Sequence, residues 1–196
     1  MMKALKALIV PLWLITLAAV ACMKKAAEEL PQVQMRYTNL QNQEIKANEY
    51  YHLDIDGNGT VDYTFHTYLV GDPILRHDRK QFLVSSKIET NLLTNENDES
   101  PLLYNGDVIR AKWDSYNWFE VSSIVLAEQI IPETGKNTWR GLWKSAKHNF
   151  LPVQVMRGGA PYHGWIEISF DTVNQKLVLH KAAISMEANV EVAAGN

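Results

Sequence analysis

The chain has a single cysteine, Cys22, among its 196 residues, so it cannot form an internal disulfide. It also lacks an excess of positive charge, with 19 Lys and Arg against 22 Asp and Glu. Because nucleic-acid-binding domains usually carry basic surfaces, this balance argues against nucleic acid as a partner. The sequence contains no His-Glu-x-x-His motif, no glycine-rich phosphate loop and no Gly-x-Ser-x-Gly elbow. These absences remove the commonest signatures of zinc-dependent, phosphate-binding and serine-dependent enzymes.

The amino end combines positive charge with a short apolar run. Lys3 and Lys6 precede residues 7–21, all of which are apolar or small except Thr16. This arrangement is typical of an export signal. The run is too short to cross a bilayer comfortably, since a spanning helix needs about 20 apolar residues. The sequence therefore predicts that residues 1–21 are a cleaved signal peptide.

Cys22 follows the small residues Ala19 to Ala21 and precedes a polar segment. This pattern resembles the bacterial lipobox, in which the cysteine is lipidated, although the usual leucine three places earlier is Ala19 here. We expect acyl chains on Cys22 to anchor the protein, because each buried CH₂ contributes roughly 0.8 kcal/mol. Met23 and two lysines directly follow the cysteine, in place of the aspartate that retains many lipoproteins at the inner membrane, and by the same resemblance this implies the outer membrane. The alternative is ordinary signal cleavage with Cys22 incidental.

The remaining chain is predicted to contain a tether and one domain. Loss of residues 1–21 removes Lys3 and Lys6 and no acid, leaving 17 basic and 22 acidic side chains. Residues 22–45 are rich in Lys, Ala, Glu, Gln and Asn, which predicts a flexible tether behind the lipidated cysteine. Residues 46–196 are long enough for one domain with a hydrophobic core.

Seven β-branched or aromatic-rich runs, separated by Gly, Pro, Asn and Asp, indicate an all-β domain. Short strands between turn signals predict an antiparallel β-sandwich, jelly-roll-like in type. Residues 119–131 fit neither the helical nor the strand period, so their structure stays open. The predicted strands are Tyr50–Leu53, Val61–Leu69, Phe82–Ile88, Val108–Trp113, Phe150–Met156, Gly164–Phe170 and Lys176–Ile184.

An acidic loop at residues 54–62 has the spacing of a calcium loop. Oxygen-bearing side chains occupy positions one, three, five and nine, and glycine occupies position six, where it permits a sharp turn. The twelfth position is Phe65 rather than the glutamate of an EF-hand, so we expect a structural ion in a strand turn. The alternative is a metal-free Asp/Asn/Gly turn. The candidate calcium ligands are Asp54, Asp56, Asn58, Thr60 and Asp62.

Four tryptophans in one stretch are candidate ligand contacts: Trp113, Trp118, Trp139 and Trp143. Exposed aromatic rings stack on sugar rings, whereas buried ones fill a sandwich core, and both possibilities stay open. A second candidate chemistry is glycan hydrolysis, which needs two carboxylates facing across a cleft. Glu120 and Glu167 are the candidate pair for that reaction.

Two regions together resemble a group of uncharacterised exported β-sandwich proteins of Bacteroidetes type. The first is the acidic loop followed by the aromatic strand Tyr63 to Phe65. The second is Tyr162-His163-Gly164-Trp165, with a later Val190 to Gly195 segment that closes in Ala-Gly. The resemblance implies a β-sandwich in the cell envelope and transfers no catalytic residue.

The sequence as a whole predicts a cell-envelope lipoprotein that is a non-catalytic binding or structural module for glycans or envelope proteins. A glycan hydrolase and a purely architectural protein are the two alternatives. Calcium is the one cofactor expected, and the lipid anchor makes the membrane a partner.

Overall fold

The computed structural model describes residues 33–196. Outside the described residues lie the predicted signal peptide, residues 1–21, and the first part of the predicted tether, residues 22–32, which includes Cys22. In the part of the chain that is described, no helix is both long and apolar enough to cross a membrane.

Residues 33–196 form thirteen strands and one short 3₁₀ helix at Leu142–Ser145. The first six strands are β1 Met35–Ile45, β2 Tyr50–Leu53, β3 Tyr63–Asp72, β4 His77–Ser86, β5 Thr90–Thr94 and β6 Val108–Ile109. The others are β7 Asn117–Glu120, β8 Ser123–Pro132, β9 Thr138–Arg140, β10 Asn149–Arg157, β11 Ala160–Asp171, β12 Lys176–Ser185 and β13 Val192–Ala193.

Two antiparallel sheets pack against each other, which confirms the predicted β-sandwich. The first sheet has the order β1-β12-β11-β10-β5-β7, and the second has the order β2-β3-β4-β8-β9. Strands β10 to β12 and β2 to β4 are consecutive neighbours, so hairpins connect the strands within each of these two groups. β6 and β13 pair with each other in a separate two-stranded ribbon.

The main core lies between the two sheets. Tyr63 and Phe65 of the second sheet are fully buried in the same apolar cluster as Leu151 and Ile166 of the first. The hydroxyl of Tyr63 also reaches across, and lies 2.9 Å from the carbonyl oxygen of Gln154. This bond gives the buried hydroxyl a partner, so the tyrosine can fill the core without an unpaired polar atom.

A second apolar cluster covers the outer face of the first sheet. Successive residues of a strand point to opposite faces, so Ile166 enters the main core while Trp165 enters this second cluster. Ile109 of β6 and Val192 of β13 complete the cover. β10 is buried at seven of its nine positions, and β11 and β12 each contain a run of four buried residues, which is consistent with cover on both faces of this part of the sheet.

The predicted tether is wrong for residues 35–45. These residues form β1, which pairs with β12 from Met35 opposite Ser185 to Ile45 opposite Leu177. β1 is an edge strand with mostly exposed side chains, and its composition therefore resembles that of a linker. The folded domain consequently starts before residue 46.

The segment at residues 119–131, left open by the sequence, consists of strands. The segment contains the end of β7 and most of β8. Val121, between the two strands, has a φ of +49°. β8 also carries an irregularity opposite Phe82 and Leu83. These two interruptions break the alternation of apolar residues, which explains why neither period fitted the sequence.

Candidate functional site

The acidic loop connects β2 to β3 at one end of the sandwich. The amide of Asp62 donates to the carbonyl oxygen of Leu53 at 2.9 Å and closes the loop. Inside it, the carboxylate of Asp54 accepts bonds from the amides of Gly57 at 2.6 Å and Gly59 at 2.7 Å. Such side-chain-to-backbone bonds are the ordinary way in which aspartate organises a turn.

Three of the five predicted calcium ligands come together in this loop. Carboxylate oxygens of Asp54, Asp56 and Asp62 all lie within 4.8 Å of one another, and this triad could hold a metal ion. The side-chain oxygen of Asn58 instead accepts a bond from the amide of Thr60 at 2.6 Å. The loop thus combines a carboxylate cluster with an internal turn that needs no ion to form its hydrogen bonds.

The carboxylates of the triad are partly buried, and burial has an electrostatic consequence. Asp62 is 3% exposed, and burial, reinforced by the neighbouring carboxylates of Asp56 and Asp54, raises the pKa of Asp62 to about 6. The amide of Ile55, which donates to Asp62 Oδ2 at 2.8 Å, opposes that rise. A positive charge at this position would offset the repulsion among the three carboxylates.

Two arginines already supply positive charge to the loop. Nε of Arg157 lies 2.8 Å from Oδ2 of Asp56, and its guanidinium stands 4.5 Å above the ring of Tyr162. The guanidinium of Arg36 lies against Gly57, where even a Cβ atom would overlap it. The loop is therefore held to the first sheet by the ion pair between Asp56 and Arg157 of β10 and by the contact of Gly57 with Arg36 of β1.

The four tryptophans do not share a ligand-binding face. Trp143 is 1% exposed and belongs to the main core, where its indole nitrogen donates to the carbonyl oxygen of Ser100 at 3.1 Å. Trp139 is partly buried against the same core, where its ring packs against Phe82. The expectation that Trp143 contacts a ligand is wrong, because the two sheets enclose its ring.

Trp113 and Trp118 belong to the second cluster, on the other side of the first sheet. Both are half-buried, and both indole nitrogens donate to the carbonyl oxygen of Arg110, at 2.8 and 3.2 Å. They hold the 110–118 segment against the sheet. The four rings are thus divided between two clusters.

The candidate carboxylate pair is also separated. Glu120 lies on the edge strand β7, where it accepts a bond from the amide of Glu89 at 2.6 Å. Glu167 lies on β11 and pairs with His148 at 2.7 Å. β5 and β10 stand between these two strands, which puts the carboxylates roughly 14 Å or more apart at about 4.8 Å per strand. Glycosidase pairs lie about 5–9.5 Å apart, so these two glutamates do not form one.

A surface that the sequence did not reveal is the outer face of the second sheet, here called the open face. Its side chains alternate with the core residues Tyr63 and Phe65, and they form three rows across β2, β3, β4, β8 and β9. The serine row contains His52, Thr64, Ser85 and Ser123, the central row Tyr50, His66, Leu83 and Val125, and the charged row Tyr68, Gln81, Glu128 and Arg140.

Aromatic rings dominate one side of the open face. The rings of Tyr50 and His66 are nearly parallel, with centroids 5.8 Å apart, and Tyr68 meets His66 edge-on at 4.8 Å. Tyr50 is 58% exposed and Tyr68 is 51% exposed, whereas His66, on which both rings pack, is 5% exposed and Leu83 is 7% exposed. The only sequence signal was that aromatic residues of β3, from Tyr63 to Tyr68, occupy positions on both faces of the strand. Its cross-strand partner Tyr50 could not be assigned without the pairing.

Comparisons with protein-family models, with curated proteins and with solved structures gave no significant match to this chain.

Proposed function

We propose that this protein is a lipid-anchored module of the bacterial cell envelope that binds a partner through the open face and catalyses no reaction. The observation that carries the proposal is the difference between the two outer faces of the sandwich. The second cluster buries Phe150 and Trp165 on the first sheet and leaves Tyr37 exposed at its edge, whereas the second sheet presents both Tyr50 and Tyr68 to solvent. Exposed aromatic residues are enriched where proteins bind partners.

The non-catalytic part of the proposal rests on the separated carboxylates. Glu120 and Glu167 lie on strands that are not neighbours, and each already has a local hydrogen-bond partner. The lipid anchor rests on the sequence alone, through Cys22 and the apolar run before it.

Calcium in the acidic loop is the structural part of the proposal. Ca²⁺ prefers oxygen ligands, and Asp54, Asp56 and Asp62 supply three carboxylates in one place. An ion there would stiffen the connection between β2 and β3, which are the strands that carry Tyr50 and Tyr68. Calcium would in this way support the open face without contacting the partner.

The test is a binding screen of the full chain, purified in detergent, against envelope polysaccharides and purified envelope proteins. It is run in calcium and again in chelator, and products released from the polysaccharides are measured in parallel. We expect retention without product release, and weaker retention in chelator. Product release that one carboxylate-to-amide substitution abolishes would establish the hydrolase alternative. Absence of both binding and turnover would leave the architectural role.

A further inference from the structure

A cleft lies between two neighbouring loops at the edge of the first sheet that ends in β7. Residues 95–97, which follow β5, and residues 115–117, which lead into β7, line it together with Phe119. The two loops are adjacent because β5 and β7 pair, with Thr94 opposite Asn117. The cavity has a volume of about 450 Å³, within the range of roughly 300–1,000 Å³ that is usual for small-molecule sites. We call it the amide cleft.

Both loops of the amide cleft are fixed by contacts of their own. The side-chain oxygen of Asn95 accepts a bond from the backbone amide of Asn97 at 2.9 Å, which shapes the first loop. In the second loop the indole of Trp113 donates to the carbonyl oxygen of Arg110 at 2.8 Å, and its ring meets Tyr116 edge-on with 6.3 Å between centroids. The cleft is therefore formed before a ligand arrives, which reduces the entropic cost of binding.

The lining of the cleft combines aromatic rings with amide side chains. Phe119 is 49% exposed and Tyr116 is half-buried. Asn117 lies two residues before Phe119 on β7, so the two side chains project from the same face of the strand. Asn97 and Asn117 are both exposed, and each amide group carries two N–H donors and a carbonyl acceptor. A ligand in the cleft would thus meet a ring with donors and acceptors beside it.

The charge of the cleft argues against an anionic ligand. Of the described residues that line it, none is basic and one, Glu96, is acidic. Asp98 of the first loop and Asp114 of the second are further exposed acids. Arg110 and Lys112, the basic residues of the second loop, line a different cavity. A phosphate group or an acidic sugar would be repelled by this surface.

A cation fits the lining less well than an uncharged polar ligand does. A cation would bond to acceptors alone, and would leave the N–H donors of Asn97 and Asn117 without a partner. The hydroxyl groups of a sugar both donate and accept, so they can use both ends of each amide. The C–H groups of a pyranose also form an apolar face that can lie on the ring of Phe119.

We propose that the amide cleft binds one uncharged pyranose unit of a glycan. The sugar stacks on Phe119 beside Tyr116, Asn97 and Asn117 bond to its hydroxyl groups, and Glu96 accepts a further hydroxyl bond. The cleft belongs to the first sheet and the open face to the second, so the two sites are separate and either can exist without the other.

Affinity electrophoresis of the full chain, purified in detergent, tests this assignment. The gels contain soluble neutral polysaccharides, namely mannan, xylan, galactan, β-glucan and amylose. Phe119→Ala, Phe119→Tyr and Asn117→Ala are compared with the unaltered protein, and thermal melts show whether each variant keeps the fold. Tyr104→Ala is the matched control, because Tyr104 is an exposed aromatic residue, at 66%, that does not line the cleft.

We expect at least one polysaccharide to retard the protein, and Phe119→Ala to lose affinity by about tenfold or more, as for a central aromatic contact. Asn117→Ala should lose affinity by about threefold or more, the effect of one hydrogen bond. Phe119→Tyr should keep most of the affinity, because stacking needs the ring, and Tyr104→Ala should keep all of it. If Phe119→Ala lowers the melting temperature, Asn117→Ala decides the test, because its side chain is exposed.

Two results would overturn the assignment. Glycan binding that survives Phe119→Ala and Asn117→Ala but is lost when Tyr50→Ala and Tyr68→Ala are combined would place the sugar on the open face instead. Retention by none of the five polysaccharides would overturn the sugar as ligand. Binding of an envelope protein through the open face would stand in that case, so the failure of one site is distinguishable from the failure of the other.

Discussion

The guanidinium of Arg157 reaches from the end of β10 to the carboxylate of Asp56, with 2.8 Å between Nε and Oδ2. The side chain of Asp56 is 2% exposed, whereas that of Arg157 is 37% exposed. A buried carboxylate of the acidic loop is thereby neutralised from one side by a residue 101 positions away. A cation bound by the triad would share Asp56 with this arginine.

The first prediction concerns how Arg157 and a bound cation both neutralise the carboxylate of Asp56. Arg157→Met keeps an apolar side chain beside Tyr162 but leaves the Asp56 carboxylate without its charge partner. In chelator the free energy of unfolding should fall by about 1–2 kcal/mol, the cost of a buried charged group that loses a partner. In millimolar calcium most of the loss should disappear, because the ion replaces the missing positive charge. Chemical denaturation in both buffers measures the difference.

The matched control for Arg157 is Arg76→Met, which removes an exposed arginine that lies 3.8 Å from Glu133, also exposed. It should change stability by less than about 0.5 kcal/mol in either buffer. An equal loss for Arg157→Met with and without calcium would contradict a calcium ion in the acidic loop.

The second prediction concerns Gly164, which precedes the buried Trp165 in β11. A Cβ atom at this position would lie 2.2 Å from the carbonyl oxygen of Ala183 and 3.0 Å from Cα of Ile184. Since both atoms belong to the backbone of β12, the two strands would have to separate. Gly164→Ala should therefore reduce the free energy of unfolding by about 1–3 kcal/mol, a typical cost of overpacking.

Gly71→Ala controls for the loss of a strand glycine, because the nearest atom to its added Cβ is a side-chain oxygen of Asp78 at 3.4 Å. That variant should change stability little. Urea denaturation of both variants provides the comparison. Equal stability of Gly164→Ala and the unaltered protein would show that β12 can move away at no cost.

The third prediction concerns acid stability and His163. The imidazole is 1% exposed, its Nδ1 lies 2.7 Å from the carbonyl oxygen of Val190, and its Nε2 lies 3.0 Å from the amide nitrogen of Gln154. Burial lowers the pKa of His163 below its usual value of 6.5. The unfolded chain therefore takes up a proton near pH 6.5 that the folded chain resists. The contribution of this group to stability is complete above pH 6.5 and is lost as the pH falls below it.

His163→Gln removes this group and should flatten the decline of stability between pH 6.5 and 5, by up to about 1.4 kcal/mol per pH unit. Thermal or urea unfolding across that pH range measures the slope. His77→Gln, at the start of β4, controls for the loss of a histidine elsewhere. A slope that His163→Gln leaves unchanged would mean that the folded state accommodates the protonated imidazole.

The strands with strong local signals could be predicted, and those defined by distant partners could not. Tyr50–Leu53 matched β2 at both ends, because Asp54 and the following loop stop the strand. β1 was missed, since its polar side chains become a strand only through pairing with β12, about 140 residues later. Its pairing is also interrupted between Asn39 and Gln43, next to residues with positive φ, which weakens any alternating pattern.

The candidate site divides in the same way. The acidic loop could be located from its spacing because all the candidate ligands lie within nine residues, and local hydrogen bonds shape it. The exposure of the tryptophans could not be predicted, because Trp143 and Trp118 enter different clusters and long-range packing decides which cluster each one enters. The open face depends on cross-strand neighbours such as Tyr50 and His66, which belong to different strands.

The sequence by itself determined the all-β class, the position of the acidic loop and the expectation of export with a lipid on Cys22. These features depend on residue spacing, turn chemistry and short-range periodicity, all of which are properties of neighbouring residues. Only the tertiary structure decided that Arg157 pairs with Asp56, that Trp143 is enclosed, and that Tyr50 and Tyr68 face solvent together. Each of those facts depends on which strands pair and which face of a sheet is covered, and long-range packing of the whole chain sets both.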